Sequence, residues 1–253
     1  MENGEQFRNR LLGQFFGVLK KHSLWDSLIA KIKEKAFEMK SINLWKNKEK
    51  IKDLYEDLVK KNDGHETKAL YAMLAMMKED VETLQETEEI SDIVLEIIEE
   101  MHSKKSYLYA EGLYFKGMCM MDHDEFRRAI QIFRDVINIL KQVNEETHPL
   151  QIADTYNKIA FCNLNLEETK EAIEAAEKAH KYALSGNHTN SYPEAISLYL
   201  LAKLHKDTGD YANALMYFKQ AVSKLSNHFK ENHAIIQDVK SSIEILERSI
   251  EKR

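Results

Sequence analysis

One helical-hairpin pattern recurs three times in the second half of this chain, and its pitch leaves little choice of fold. The copies read G-M-C-M-M-D-H-D-E-F-R-R-A-I-Q-I-F from Gly117, A-F-C-N-L-N-L-E-E-T-K-E-A-I-E-A-A from Ala160 and A-K-L-H-K-D-T-G-D-Y-A-N-A-L-M-Y-F from Ala202. Their opening small residues stand 43 and 42 residues apart. Twelve residues after each comes Ala129, Ala172 or Ala214, and four further on Phe133, Ala176 or Phe218. A single hairpin of this size cannot bury its apolar face. It stacks on its neighbours, and the stack leaves a concave groove as the working surface.

The remaining chain also reads as helix. Two prolines and eight glycines in 253 residues leave few turns, so a strand-rich fold is not expected. A charged fraction of 31% beside 43% apolar residues suits long amphipathic helices. The net charge of −6 carries no basic signature of direct nucleic-acid binding. Cys119 and Cys162 occupy equivalent packing positions, and no C-x-x-C occurs, so reduced buried thiols are expected and no metal or cofactor. Residues 1–10 lack a basic region leading into a long apolar run, and Leu11–Leu19 is interrupted by Gly13, Gln14 and Gly17. No stretch approaches the roughly 18–20 apolar residues of a membrane span. A soluble, cytoplasmic protein is the expectation.

Apolar stripes place the helices. Leu11, Phe15, Phe16 and Leu19 form the first, and Leu28, Ile29, Ile32 and Phe37 the second, with Ser23 or Asp26 as its cap. A third runs through Trp45, Ile51, Leu54, Tyr55 and Leu58 and stops at Asn62-Asp63-Gly64. A fourth carries Leu70, Tyr71, Met73, Leu74 and Met77, and a fifth Ile90, Ile93, Val94, Ile97 and Ile98. After the three hairpins comes a helix with Ile235, Ile236, Val239, Ile243, Leu246 and Ile250 on one face and Lys240, Glu244, Glu247 and Arg248 on the other. One wet face suits a cap that closes a stack. The expected organisation is an all-α chain: an N-terminal helical bundle over 1–102, then a repeat array with a C-terminal capping helix over 103–253.

The third copy, L-x-x-L-A…G-D-Y…A…F…A from Leu198 to Ala221, resembles the tetratricopeptide repeat closely. The second has Glu167 in place of its glycine, and the first has Val136 in place of its last alanine. The resemblance implies a right-handed solenoid of about three repeats, with a pitch longer than the usual 34 residues.

A narrower resemblance rests on Tyr107–Leu140, above all F-K-G-M at Phe115–Met118 and the following E-F-x-x-A-I. This segment is similar to the start of the array in the Rap family, the Bacillus aspartyl-phosphate phosphatases and their relatives. The similarity spans roughly residues 28–227. It implies a cytoplasmic receptor whose bundle and first repeats bind a response regulator or transcription factor, and whose repeat groove takes a short signalling peptide. Some members of the family remove phosphate from the regulator. The family's water-positioning glutamine falls at Glu66 here, within Lys61-Asn62-Asp63-Gly64-His65-Glu66. A carboxylate repels a phosphoryl group where an amide would orient water, so a binding role is expected rather than hydrolysis; the alternatives are an active aspartyl-phosphate phosphatase and a generic tetratricopeptide scaffold or co-chaperone. Glu66 is the weak catalytic candidate. Read from the residues alone, it is a favourable charge at a helix N-terminus.

In such arrays the first helix of each hairpin lines the groove. The positions six and three before the small residue, then one and four after it, are expected to face solvent. They give Glu111, Tyr114, Met118 and Met121; then Asp154, Asn157, Phe161 and Leu164; then Ile196, Tyr199, Lys203 and Lys206. Asn157 leads, because an amide both donates to and accepts from a peptide backbone. Lys203 and Lys206 offer a seat for a carboxylate, and Tyr114, Phe161 and Tyr199 rigid contact area. Asp154 completes the set. The alternative is that these residues are merely solvated, or are covered by the capping helix. Met73, Met76, Met77, Met101, Met118, Met120 and Met121 read either as core filling or as an adaptable binding surface.

Overall fold

A computed structural model describes residues 44–81, 83–144, 148–185 and 191–251. The two stripes expected before residue 40 lie outside these. The described residues form ten helices and no strand: α1 (Lys48–Lys61), α2 (Glu66–Asp80), α3 (Leu84–His102), α4 (Tyr107–Asp122), α5 (Phe126–Asn144), α6 (Pro149–Asn165), α7 (Thr169–Ser185), α8 (Tyr192–Asp207), α9 (Tyr211–Leu225) and α10 (Ala234–Glu251). They fall into two compact units. One runs to Arg128 and adds Arg134–Val143; the other holds Ala129–Phe133 and resumes at Asn144. The bundle boundary expected at residue 102 falls between α3 and α4, both in the first unit.

Local chemistry starts and stops the helices. Asn47, Thr83, Ser106, Ser191 and Asp210 cap N-termini, each side chain accepting a backbone N–H three residues on. Each hairpin of the repeat pattern turns in one way. Asp124, Glu167 and Gly209, seven residues after the small residue, sit in the left-handed region at φ 61°, 61° and 79°. The next N–H reaches five residues back: Glu125 to the Met120 carbonyl, Glu168 to Asn163 and Asp210 to His205, all at 2.9 Å. This is the Schellman closure of a helix C-terminus. It shows that the turn is kept where the consensus glycine is lost.

In the second unit α6 packs on α7, α8 on α9, α7 on α8, α6 on α8, and α9 on α10. The small residues make these approaches close. Ala129, Ala160, Ala172, Ala202 and Ala214 are all fully buried. The buried face of α7 is alanine throughout: Ala172, Ala175, Ala176, Ala179 and Ala183. Cys119 and Cys162 are buried free thiols, and burial pushes the Cys162 thiol up, so it stays protonated.

The last helix has one buried and one wet face. Ile235, Ile236, Val239 and Leu246 are buried, and Lys219 of α9 pairs with Glu247 at 2.7 Å. One repeat length after Ala110, Ala153 and Ala195 stands Gln237, and after Gly117, Ala160 and Ala202 stands Glu244. The side a partner helix would cover is thus rewritten in polar residues, and the Glu244 side chain is 67% exposed. That is the physical content of a cap.

In the first unit α2 and α3 pack on each other and on α1 and α4. A Cβ on Gly112 of α4 would stand 3.0 Å from Leu95 Cδ2 and 3.1 Å from Ile98 Cδ1, so glycine lets α4 lie close on α3. The acidic face of α3 gathers cations from other helices. Lys48 reaches Glu96 at 2.9 Å and Glu100 at 2.8 Å, Lys116 pairs with Asp92, and Arg128 with Glu88. Of the lysines of α1, Lys48 and, at 4.0 Å, Lys52 reach α3, while Lys61 with Asp57, at 4.0 Å, is a pair within the helix. Met73, Met76, Met77, Met118, Met120 and Met121 fill the core, and Met101 is exposed.

A left-handed residue other than glycine costs about 1–2 kcal/mol, part of which returns because glycine is freer when unfolded. Glu167→Gly is expected to stabilise the chain by about 0.5–1 kcal/mol, and Gly209→Ala to destabilise it by about 1 kcal/mol. Thermal melts of the two variants beside the parent check both signs.

Candidate functional site

The first helices of the hairpins carry every expected groove residue, but the fold encloses them. On α4, 11 of 16 residues are buried, and on α6 and α8 ten each. Each of α6 and α8 lies against α7 and against the other, so few positions remain open. Tyr114 is buried in the first unit. In the second, Asp154, Asn157, Phe161 and Tyr199 are buried too, as are Glu111, Met118, Met121 and Ile196 among the neighbouring positions. Lys203, Lys206 and Leu164 are half-buried. The expected solvent exposure is therefore not found at the nine buried positions, and is partial at the other three.

What the buried polar groups do is specific. The Tyr199 hydroxyl donates to Asp238 of α10 at 2.6 Å, so the capping helix takes this position, and Lys203 Nζ lies 5.7 Å from the Tyr199 ring centroid. Tyr71 of α2 donates in the same way to the buried Glu111 of α4. Both donors stand three residues before the small-residue register, which extends back by 43 to Leu74. Both acceptors stand six before the next register position. These are rungs linking successive first helices. Sequence reading missed them, although the recurrence of a tyrosine at 71, 114 and 199 and of a carboxylate at 111, 154 and 238 was the available signal.

Asn157 departs from this rule. Its Nδ2 donates to the Pro193 carbonyl on α8 at 2.9 Å, while its Oδ1 is buried with no hydrogen-bond partner. A buried acceptor left unmade costs about 1–3 kcal/mol. One turn earlier, Asp154 faces Lys158 at 4.0 Å, both side chains nearly enclosed. The first turns of α8 draw two further bonds. Lys224 of α9 pairs with buried Glu194 at 2.8 Å, and His180 Nδ1 of α7 meets the Ser197 hydroxyl at 3.2 Å. Because Ser197 donates to the Glu194 carbonyl at 2.8 Å, its oxygen is left to accept from His180. Burial, seconded by the Lys224 charge, holds the His180 imidazole below its ordinary range, and Glu194 opposes this.

Glu66 lies apart, in the first turn of α2, where it accepts from His102 of α3 at 3.0 Å. Its place at a helix N-terminus is the one favoured by the backbone dipoles. Among the described residues no group of three His, Cys, Asp or Glu is arranged to hold a metal ion, and no helix is long and apolar enough to cross a membrane.

Comparison with known proteins gives the class. The sequence model of the tetratricopeptide repeat matches residues 151–225, from the first turn of α6 to the end of α9. A crystal structure of nearly identical, kinesin-light-chain-type TPR-like repeats from Podosopora anserina superposes with a TM-score of 0.53 at 11% identity, covering 82% of this chain and 90% of that one. No curated protein matches the sequence. The fold is that of a tetratricopeptide-repeat array.

Tyr199→Phe leaves the Asp238 carboxylate without its donor. It is expected to cost about 1.5–3 kcal/mol, the range for a hydrogen bond to a charged group, read from urea unfolding. His180 sets a pH dependence of known sign. Its folded pKa lies below the unfolded value of about 6.5, so the unfolded chain takes up the proton first. Stability is full above that value and falls as pH drops below it. Melting curves from pH 7.5 to 5 are expected to shift downward, and less so in His180→Gln.

Proposed function

We propose that this chain is a non-enzymatic, cytoplasmic regulatory protein. It binds a signalling protein, a response regulator or a transcription factor, and is controlled by a short extended peptide taken up along α6 and α8. The tetratricopeptide array supports a protein-binding role, since stacked hairpins present extended surfaces. The observation that carries the peptide reading is Asn157, whose amide oxygen is buried without a donor beside the backbone of α8. A peptide N–H supplies that donor. The site is covered as it stands, so the peptide is admitted by a less populated arrangement in which the first turn of α8 moves off α6.

Asp154, Phe161, Lys203 and Lys206 flank that position on the same two helices. Tyr199 contributes through its ring, its hydroxyl being held by Asp238. Tyr114, buried in the first unit, is assigned to packing. Glu66 is engaged by His102, which supports a structural rather than a hydrolytic role.

Random seven-residue peptides displayed on phage provide the test. The parent protein is expected to enrich a family of sequences that Asn157→Ala fails to retain, with unchanged helical circular dichroism. Equal enrichment by both proteins would remove the site assignment. Release of a response regulator or transcription factor from the immobilised protein in Bacillus lysate, on adding an enriched peptide, would establish the regulatory half. Retention in the presence of peptide would refute it.

A further inference from the structure

The rungs between first helices follow a rule of position, and one rung is changed at both ends. Tyr71 donates to Glu111 and Tyr199 to Asp238, in each case from three before one register position to six before the next. Between α6 and α8 the donor position holds Asn157 and the acceptor position holds Ile196. Ile196 is buried and has no polar side-chain atom. Asn157 therefore turns its Nδ2 to the Pro193 carbonyl, and its Oδ1 has no donor. A tyrosine here would have lost its carboxylate, and a carboxylate would have met an amide. The two departures fall on the two ends of a single rung.

We propose that Ile196 is the specificity-determining residue of this site. By denying Asn157 an intramolecular carboxylate, it reserves the amide for a ligand. The inference rests on the peptide-receptor reading above and adds which groups the ligand must bring. Oδ1 accepts only, so the ligand presents an N–H. The Ile196 side chain is aliphatic, so an apolar side chain belongs beside that N–H. A carboxylate or phosphate oxygen is itself an acceptor and cannot supply that hydrogen, so an acidic group does not satisfy Oδ1. The ligand is thus a peptide backbone amide flanked by an aliphatic residue, in place of an acidic group.

Rebuilding the rung tests this. Asn157→Tyr and Ile196→Asp are made singly and together, and each protein is melted and used in selection of random seven-residue phage-displayed peptides. Each single change is expected to lower the melting temperature. The pair is expected to recover most of that loss while enriching no peptide, because the tyrosine and carboxylate now satisfy each other. A pair whose losses simply add, or one that still enriches the parent's peptides, overturns the role of Ile196 and leaves the receptor reading intact. If Ile196→Asp does not fold alone, Ile196→Asn offers Asn157 an uncharged partner. Loss of peptide enrichment in that variant supports the proposal, and parental enrichment overturns it. A parent protein that enriches no peptide overturns the receptor reading and this inference together.

Discussion

The left-handed turn that ends the first helix of each hairpin is the constraint from which the other contacts of the array follow. It sends the chain back at one fixed angle, and the Schellman bond across five residues locks that angle three times over. Only then do the buried alanines of the two helices meet. Only with those helices close do successive first helices come into register, so that a side chain three residues before one small position reaches a group six before the next. Asp124 and Glu167 hold a conformation that glycine would adopt at less cost. Their strain is offset by the packing the turn makes possible.

Polar groups inside the array have a similar dependence. Glu111 and Glu194 are buried carboxylates, and Tyr199 a fully buried phenol. Each would be costly alone and is met by a partner from another helix: Tyr71, Lys224 and Asp238. Such pairs define which helix neighbours which and at what offset, something alanine contacts do loosely. The Oδ1 of Asn157 is buried without a hydrogen-bond partner, as is the Tyr55 hydroxyl in the first unit. What sets Asn157 apart is position: the rung between α6 and α8 departs from the rule of its neighbours at both ends, and such departures tend to mark functional positions, which is why the site is proposed there.

Several readings from sequence changed for one physical reason: exposure on a helix is decided by what packs on it. Periodicity located α6 and α8 but gave their groove face to solvent. In the folded chain their flanks lie against α7 and against each other. Lys48 of α1 likewise spans to α3, because the acidic face of α3 lies alongside, and no spacing within α1 announces it. The register at Leu74 was missed because a leucine stands at the small-residue position, and Val81, where the left-handed residue would be, is extended. Its rung to Glu111 becomes evident only when α2 and α4 are seen together.

Among the described residues, the sequence by itself determined the helices, the hairpin pitch, the turn residues and the polar outer face of α10. These are local properties: spacing of apolar and small residues, and the chemistry of caps and turns within a few residues. The tertiary structure alone decided that Tyr199 is held by the capping helix, that Glu66 pairs with His102, and that the Asn157 amide donates to the Pro193 carbonyl while its oxygen has no partner. Those outcomes depend on residues some 35 to 40 positions away meeting across helices. No local pattern encodes such meetings until the close packing of the small residues has brought the helices together.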